Sequence, residues 1–155
     1  MQRRLEYDKV APGATRAMYA LQKYVEESGL DRSLLELVKT RASRINGCAY
    51  CIDMHTKDAR ALGESEQRLY ALAGWRETPF YTERERAALA WTEAITLISQ
   101  GHAPDEVFEQ VRAPFTEEEL VNLTLAIIAI NGWNRLLIGF REVPGTYQPQ
   151  GSGNK

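Results

Sequence analysis

The chain has 155 residues, is 44% hydrophobic and 26% charged, and carries a formal net charge of −2. That balance gives no reason to expect nucleic acid or an anionic membrane as a partner. Its longest apolar run, Leu125 to Ile130, falls far short of the ~20 residues a bilayer-spanning helix needs.

The length predicts one domain, spanning 1–155, with room for a real core. No apolar segment follows Met1, so no signal peptide is read. Residues 1–10 are charged and without clear periodicity, which suits an arm or a strand-like extension. Pro12 suits the first turn of a helix carrying Met18, Leu21, Tyr24 and Val25 at helical spacing, closed by Ser28-Gly29. Asp31 is a good N-cap for a second helix. Its apolar side is Leu34, Leu35, Leu37, Val38, Ala42 and Ile45, and its charge is Glu36, Lys39, Arg41 and Arg44. Asn46-Gly47 is a stop and turn signal. The next helix therefore starts at or near Cys48 and runs to about Leu62-Gly63.

Ser65 caps a short helix through Ala73, and Gly74 closes it. Thr82 with Glu85 reads as a capping box opening a helix that ends near Gly101. Pro104-Asp105 starts a short helix with Val107, Phe108 and Val111. Thr116 with Glu119 is a second capping box. The helix it opens, from Glu117 to about Phe140, is apolar around most of its circumference, which predicts burial on all sides in a central position or at a subunit interface. Residues 145–155, with their prolines and glycines, read as a loose tail. No convincing strand is present, so the expected fold is an all-α bundle of about six to seven helices.

Both cysteines lie in Cys48-Ala49-Tyr50-Cys51, and one of the two histidines follows at His55. At about 100° per residue, Cys48, Cys51 and His55 fall within an arc of roughly 60° on one helix. Two thiols and an imidazole side by side make a small redox or metal site. A CxxC without a secretory signal argues for a reactive pair in the cytoplasm rather than a disulfide scaffold. Cys48 lies where the helix N-terminus most favours a thiolate, and Cys51 is one turn in. His55 is placed to exchange a proton with either sulfur, directly or through a water. One cysteine can then take an oxidant as sulfenic acid and the other resolve it as a disulfide. The competing readings are a pair of buried core cysteines and a zinc site. Zinc needs a fourth ligand, for which His102 is the remaining histidine. No metal and no cofactor are expected. Taken alone, Glu36 reads as a solvated helix-face residue.

The stretch from Glu36 through Asn46-Gly47 and Cys48-Ala49-Tyr50-Cys51 to His55 resembles the core motif of the alkylhydroperoxidase D-like group, in the carboxymuconolactone decarboxylase superfamily. That motif is a glutamate, eleven residues, CxxC and three residues before a histidine, and Glu36, Cys48, Cys51 and His55 match it. Trp133-Asn134-Arg135 extends the likeness more loosely. The resemblance implies an all-helical homo-oligomer (dimer, trimer or hexamer) and a thiol-dependent peroxidase. It also implies roles: Cys51 as peroxidatic cysteine, Cys48 as its disulfide partner, Glu36 and His55 as proton relay. The implied partners are a hydroperoxide substrate and an external dithiol reductant. Where characterised members carry a second histidine between the cysteines, this chain has Tyr50, a weaker base. That departure keeps open a thiol–disulfide oxidoreductase or redox sensor, and a non-redox decarboxylase-like protein.

Overall fold

A computed structural model describes residues Met1–Pro149. Among these residues the chain is helical and without strands, with nine α-helices and one 3-10 segment. In order they are α1 (Tyr7–Val10), α2 (Pro12–Glu27), α3 (Arg32–Asn46), α4 (Ala49–Ala61), α5 (Glu66–Ala71), the 3-10 segment Leu72–Glu77, α6 (Glu83–Thr96), α7 (Ile98–Gly101), α8 (Asp105–Arg112) and α9 (Glu117–Phe140). The helix count exceeds the expected six to seven because α1 and α7 are single turns.

Local signals set most of these boundaries. Pro12 opens α2, and Asp31 accepts the Leu34 N–H at 2.8 Å to cap α3. Both capping boxes are formed in full. Thr82 and Thr116 accept the N–H of Glu85 and Glu119, and each glutamate reaches back to the N-cap N–H at 2.8 and 2.9 Å. The helix that Ser65 caps ends at Ala71, and Gly74 breaks the 3-10 run that follows it, with a non-helical φ of −107° and ψ of 31°. Just beyond that kink, Trp75 is buried and donates to Glu93. One boundary differs from expectation. The helix opened by Thr82 breaks at Leu97 (φ −99°, ψ 33°) and resumes as α7.

The centre of the bundle is α3, which packs against α4, α6 and α9. One core layer joins α2, α3, α6, α8 and α9 through Val25, Leu35, Val38, Ala88, Leu123 and Ile127. A second lies between α3, α4, α5 and α6 around Leu37, Leu72, Trp75 and Leu89. A small third cluster surrounds the cysteines: Ala42, Cys48, Cys51, Ile130 and Leu137. By length and composition α9 is apolar enough to cross a membrane, yet Leu123, Ile127, Ile130 and Asn134 are buried in the bundle. Its burial is not complete as expected, because Val121, Ile128 and Ile138 are exposed.

Both ends of the described chain are tied down. The arm is not a strand: Arg4 N–H donates to Phe140 O, and Arg3 pairs with Glu142. Residues 145–149, expected to be loose, lie against α4. Gly145 N–H donates to Asp53, the Tyr147 hydroxyl donates to Asp58 at 2.7 Å, and Lys57 donates to Tyr147 O. The rest of that expected tail, 150–155, lies outside the described residues.

Candidate active site

The site is built at the turn between α3 and α4. Gly47 takes the left-handed conformation (φ 71°, ψ 28°), and Cys48 N–H returns to Ser43 O at 3.0 Å. A left-handed residue after a helix suits glycine because it has no Cβ to clash. The turn leaves Cys48 as the N-cap of α4 and Cys51 in its first turn. Both are free thiols, fully buried, with Sγ atoms 2.8 Å apart.

The first-turn N–H groups of a helix have no intrahelical partner and favour an anion. Cys48 makes no capping hydrogen bond as a thiol, but its pKa falls to about 7. The Cys51 thiol is the main cause; burial opposes it, and the Cys51 N–H, the Asn134 amide and the Tyr50 N–H support it. Cys51 moves the other way, held protonated by Cys48, by burial and by the Cys48 charge. The pair thus gives up one proton near neutrality and resists losing the second.

One turn along α4, His55 is buried, with Nδ1 2.8 Å from Glu36 Oε2. Glu36 Oε1 accepts from the buried Lys39 ammonium, also at 2.8 Å. Burial raises the proton affinity of Glu36, but His55 and then Lys39 outweigh it and hold the carboxyl at about 2. An ionised Glu36 only accepts, so His55 Nδ1 carries a proton toward it. All four expected site residues, Glu36, Cys48, Cys51 and His55, come together here.

A cleft of about 980 Å³ opens onto this group. Cys51, His55, Glu36 and Lys39 line it, while Cys48 does not. Its other walls include Tyr50, Met54, Tyr19, Trp133 and Tyr147, with the Tyr19 and Trp133 rings 5.1 Å apart. Tyr50, in the place of a second histidine, is half-buried, and burial raises its pKa.

Glu36, His55 and Asp58 also present donor atoms within 4.8 Å of one another, a spacing that suits a metal. Each Glu36 oxygen already accepts one bond, from His55 or from Lys39, so a cation there would share the carboxylate with the Lys39 ammonium. His102, the candidate fourth zinc ligand, is exposed at the end of α7 and does not line the cleft.

Lys39 was read only as one of the charges of α3, and no role in the site was expected of it. Its available signal was the run from Leu34 to Thr40, every residue of which is buried; charges inside such a run must pair. Nor did spacing flag Ser43 or Asn46. Asn134 accepts from Asn46 at 2.8 Å and donates to Ser43 at 3.1 Å, so it serves neighbouring side chains within this chain. Arg135 donates to Asn131, one helical turn back.

Residues 12–94 match the sequence pattern of the carboxymuconolactone decarboxylase family. An uncharacterized protein of Bacillus subtilis, YdfG, is 47% identical over 138 residues, covering 89% of this chain and 94% of its own. The crystal structure of a protein of unknown function from Agrobacterium tumefaciens, with AhpD-type antioxidant defence suggested in its name, is 49% identical. It superimposes with a TM-score of 0.91 over 94% of this chain and all of its own. The debrominase Bmp8 shares the fold at 21% identity, with a TM-score of 0.76 over 89% of this chain and 74% of its own. The chain therefore belongs to the carboxymuconolactone decarboxylase family, in its AhpD-like group.

Proposed function

We propose that the protein is a thiol-dependent peroxidase that reduces hydroperoxides through Cys48 and Cys51. The observation that carries this reading is the pair of free sulfurs 2.8 Å apart, with Cys51 on the wall of a cleft that His55 and Glu36 also line. Cys48 is the better thiolate, yet Cys51 is the sulfur that meets the cleft. The two views agree if the Cys48 thiolate takes the Cys51 proton when substrate arrives.

The Cys51 thiolate then attacks the terminal oxygen of ROOH. The O–O bond breaks, Cys51 becomes a sulfenic acid, and the alkoxide leaves as ROH with a proton relayed by His55. Glu36 holds the imidazole in the tautomer that can do this. Cys48, again a thiolate, attacks Cys51 Sγ. An S–S bond of ~2.05 Å forms, the S–O bond breaks, and hydroxide leaves as water with a second proton, which solvent supplies. An external dithiol reduces the disulfide by two exchanges and is itself oxidised. This cycle suits a reducing compartment, so we place it in the cytoplasm, with the chain acting as a homo-oligomer. No step needs a metal or an organic cofactor.

Cys51→Ser is expected to abolish peroxide consumption with a dithiol reductant. Cys48→Ser should still form one sulfenic acid per chain, trapped by a carbon-acid reagent and seen by mass spectrometry. Peroxide turnover in Cys51→Ser at the wild-type rate rules the mechanism out. Tyr50 favours a second reading, disulfide exchange on other thiols, because the relay has one base fewer. Faster reduction of a small disulfide than of an organic hydroperoxide by the same preparation supports that reading instead.

A further inference from the structure

We propose that Asn46, Asn134 and Ser43 form a one-directional chain of hydrogen-bond donors that ends on the sulfur pair and holds its negative charge in place. The proposal rests on the thiol reading above only in needing the pair to ionise.

The direction of the chain follows from donor chemistry. Asn46 Nδ2 donates to Asn134 Oδ1 at 2.8 Å and to Asn131 Oδ1 at 2.9 Å. That bond fixes the orientation of the Asn134 amide: its oxygen is occupied, and its NH2 points away from Asn46. Asn134 Nδ2 donates to Ser43 Oγ at 3.1 Å. Having accepted that bond, the Ser43 hydroxyl has its own proton free to donate onward. Asn134 and Ser43 are fully buried, so neither can turn to water. Both sit beside the sulfurs: Asn134 lies on α9 between Ile130 and Leu137, which pack in one cluster with Cys48 and Cys51, and Ser43 O accepts the Cys48 N–H at 3.0 Å. Each sulfur feels the other most strongly, Cys51 favouring the anion at Cys48 and Cys48 opposing it at Cys51; the Asn134 amide favours the anion at both, and Ser43 favours it at Cys51.

Donor chains of this kind polarise one another, and their effect grows in a buried site. The arrangement also has a kinetic logic. Negative charge must pass between two sulfurs during the cycle, and an amide reaching both stabilises either location. Asn134 comes from α9, whereas Asn46 and Ser43 come from α3. The chain therefore ties the redox turn to the longest helix of the bundle. These are positioning residues, since the sulfurs do the chemistry.

The test is a thiol titration, followed by thiolate absorbance at 240 nm and by the pH dependence of iodoacetamide alkylation. Asn134→Ala, Ser43→Ala and Asn46→Ala are each expected to raise the first midpoint. A shift of about one unit lowers the fraction ionised, and so alkylation at pH 7, by up to about tenfold. Asn134→Asp, which adds a negative charge, is expected to raise it further. Asn122→Ala is the control: a buried asparagine on the same helix, bonded to Tyr24 instead, whose removal should leave the midpoint unchanged. Should Asn134→Ala fail to fold by circular dichroism, Ser43→Ala carries the test with the smallest change in volume. An unchanged midpoint in folded Ser43→Ala and Asn46→Ala overturns the proposal. An equal shift in Asn122→Ala overturns it too. The titration uses no peroxide: a wild type that titrates as expected but consumes none sinks the peroxidase reading alone.

Discussion

A buried carboxylate between a lysine and a histidine is costly to build. Glu36, Lys39 and His55 are each less than a tenth exposed, and isolated charges at such depth lose most of their hydration. They hold because each Glu36 oxygen has one donor, Lys39 or His55. The folded pKa of Glu36, about 2, lies below the ordinary carboxyl value of 4.5. The unfolded chain thus binds more protons in that interval. The stability from this ionisation is complete above about pH 4.5 and is lost as pH falls toward 2. It amounts to at most about 3 kcal/mol. Glu36→Gln is expected to lose about 3 kcal/mol at pH 7, because it strands the Lys39 charge. The gap from wild type should narrow between pH 4.5 and 2. Denaturant melts at several pH values check this, and a gap that stays constant contradicts it. Lys39→Met removes a cation from the same carboxylate, so Glu36 must protonate at higher pH. The acid limb of the peroxidase pH–rate profile should move up; an unmoved limb means Lys39 has no part in tuning the relay.

Among the elements, the α3–Gly47–α4 turn has the tightest link between backbone and chemistry. Nothing lies within 4 Å of a Cβ added at Gly47, but its φ is +71°. Gly47→Ala therefore meets no steric neighbour and still costs about 1–2 kcal/mol in backbone strain. For a chain of this size that lowers the melting temperature by a few degrees. If the strain is relieved by tilting Cys48, alkylation kinetics change as well; an unaltered melting temperature shows the turn tolerates a side chain. This element was legible in advance because its signals are local: Asn-Gly stops a helix whatever surrounds it. The same holds for Asp31, Thr82 and Thr116, whose partners lie three residues away. Sequence reasoning failed where a tertiary contact decides. Lys39 reads as one more helix charge, yet it is buried and paired with Glu36. Asn46 reads as turn chemistry, while its amide is in fact committed to α9. The family motif brought out Glu36, Cys48, Cys51 and His55. It was silent on the residues that orient them, because their spacing runs between helices rather than along one.

At the scale of the whole molecule, the cleft is closed by the two ends of the described chain. The arm reaches it through Arg3 and Tyr7, held by the ion pair of Arg3 with Glu142 and by stacking of Tyr7 on Phe140 at 5.4 Å. From the other end, Tyr147 and Pro149 complete the wall beside Asp58. Asp58 is itself near the relay, and burial raises its pKa against the opposing bond from the Tyr147 hydroxyl. The tail thus does two separable things: its ring narrows the cleft, and its hydroxyl satisfies a half-buried carboxylate. Substitution can part them. Tyr147→Ala removes both, and should let a bulky maleimide reach Cys51 several-fold faster while iodoacetamide gains less. Tyr147→Phe keeps the ring and drops the hydroxyl, so its maleimide rate should stay near wild type. The Asp58 pKa, read by NMR, should rise in the Phe variant. Equal acceleration of both reagents in Tyr147→Ala means the ring does not filter by size. A Phe variant as open as the Ala variant means the bond to Asp58, rather than the ring, keeps the wall in place. The first outcome leaves substrate choice to Tyr19, Tyr50 and Trp133 across the cleft. The second makes the protonation of Asp58 part of access to the sulfurs.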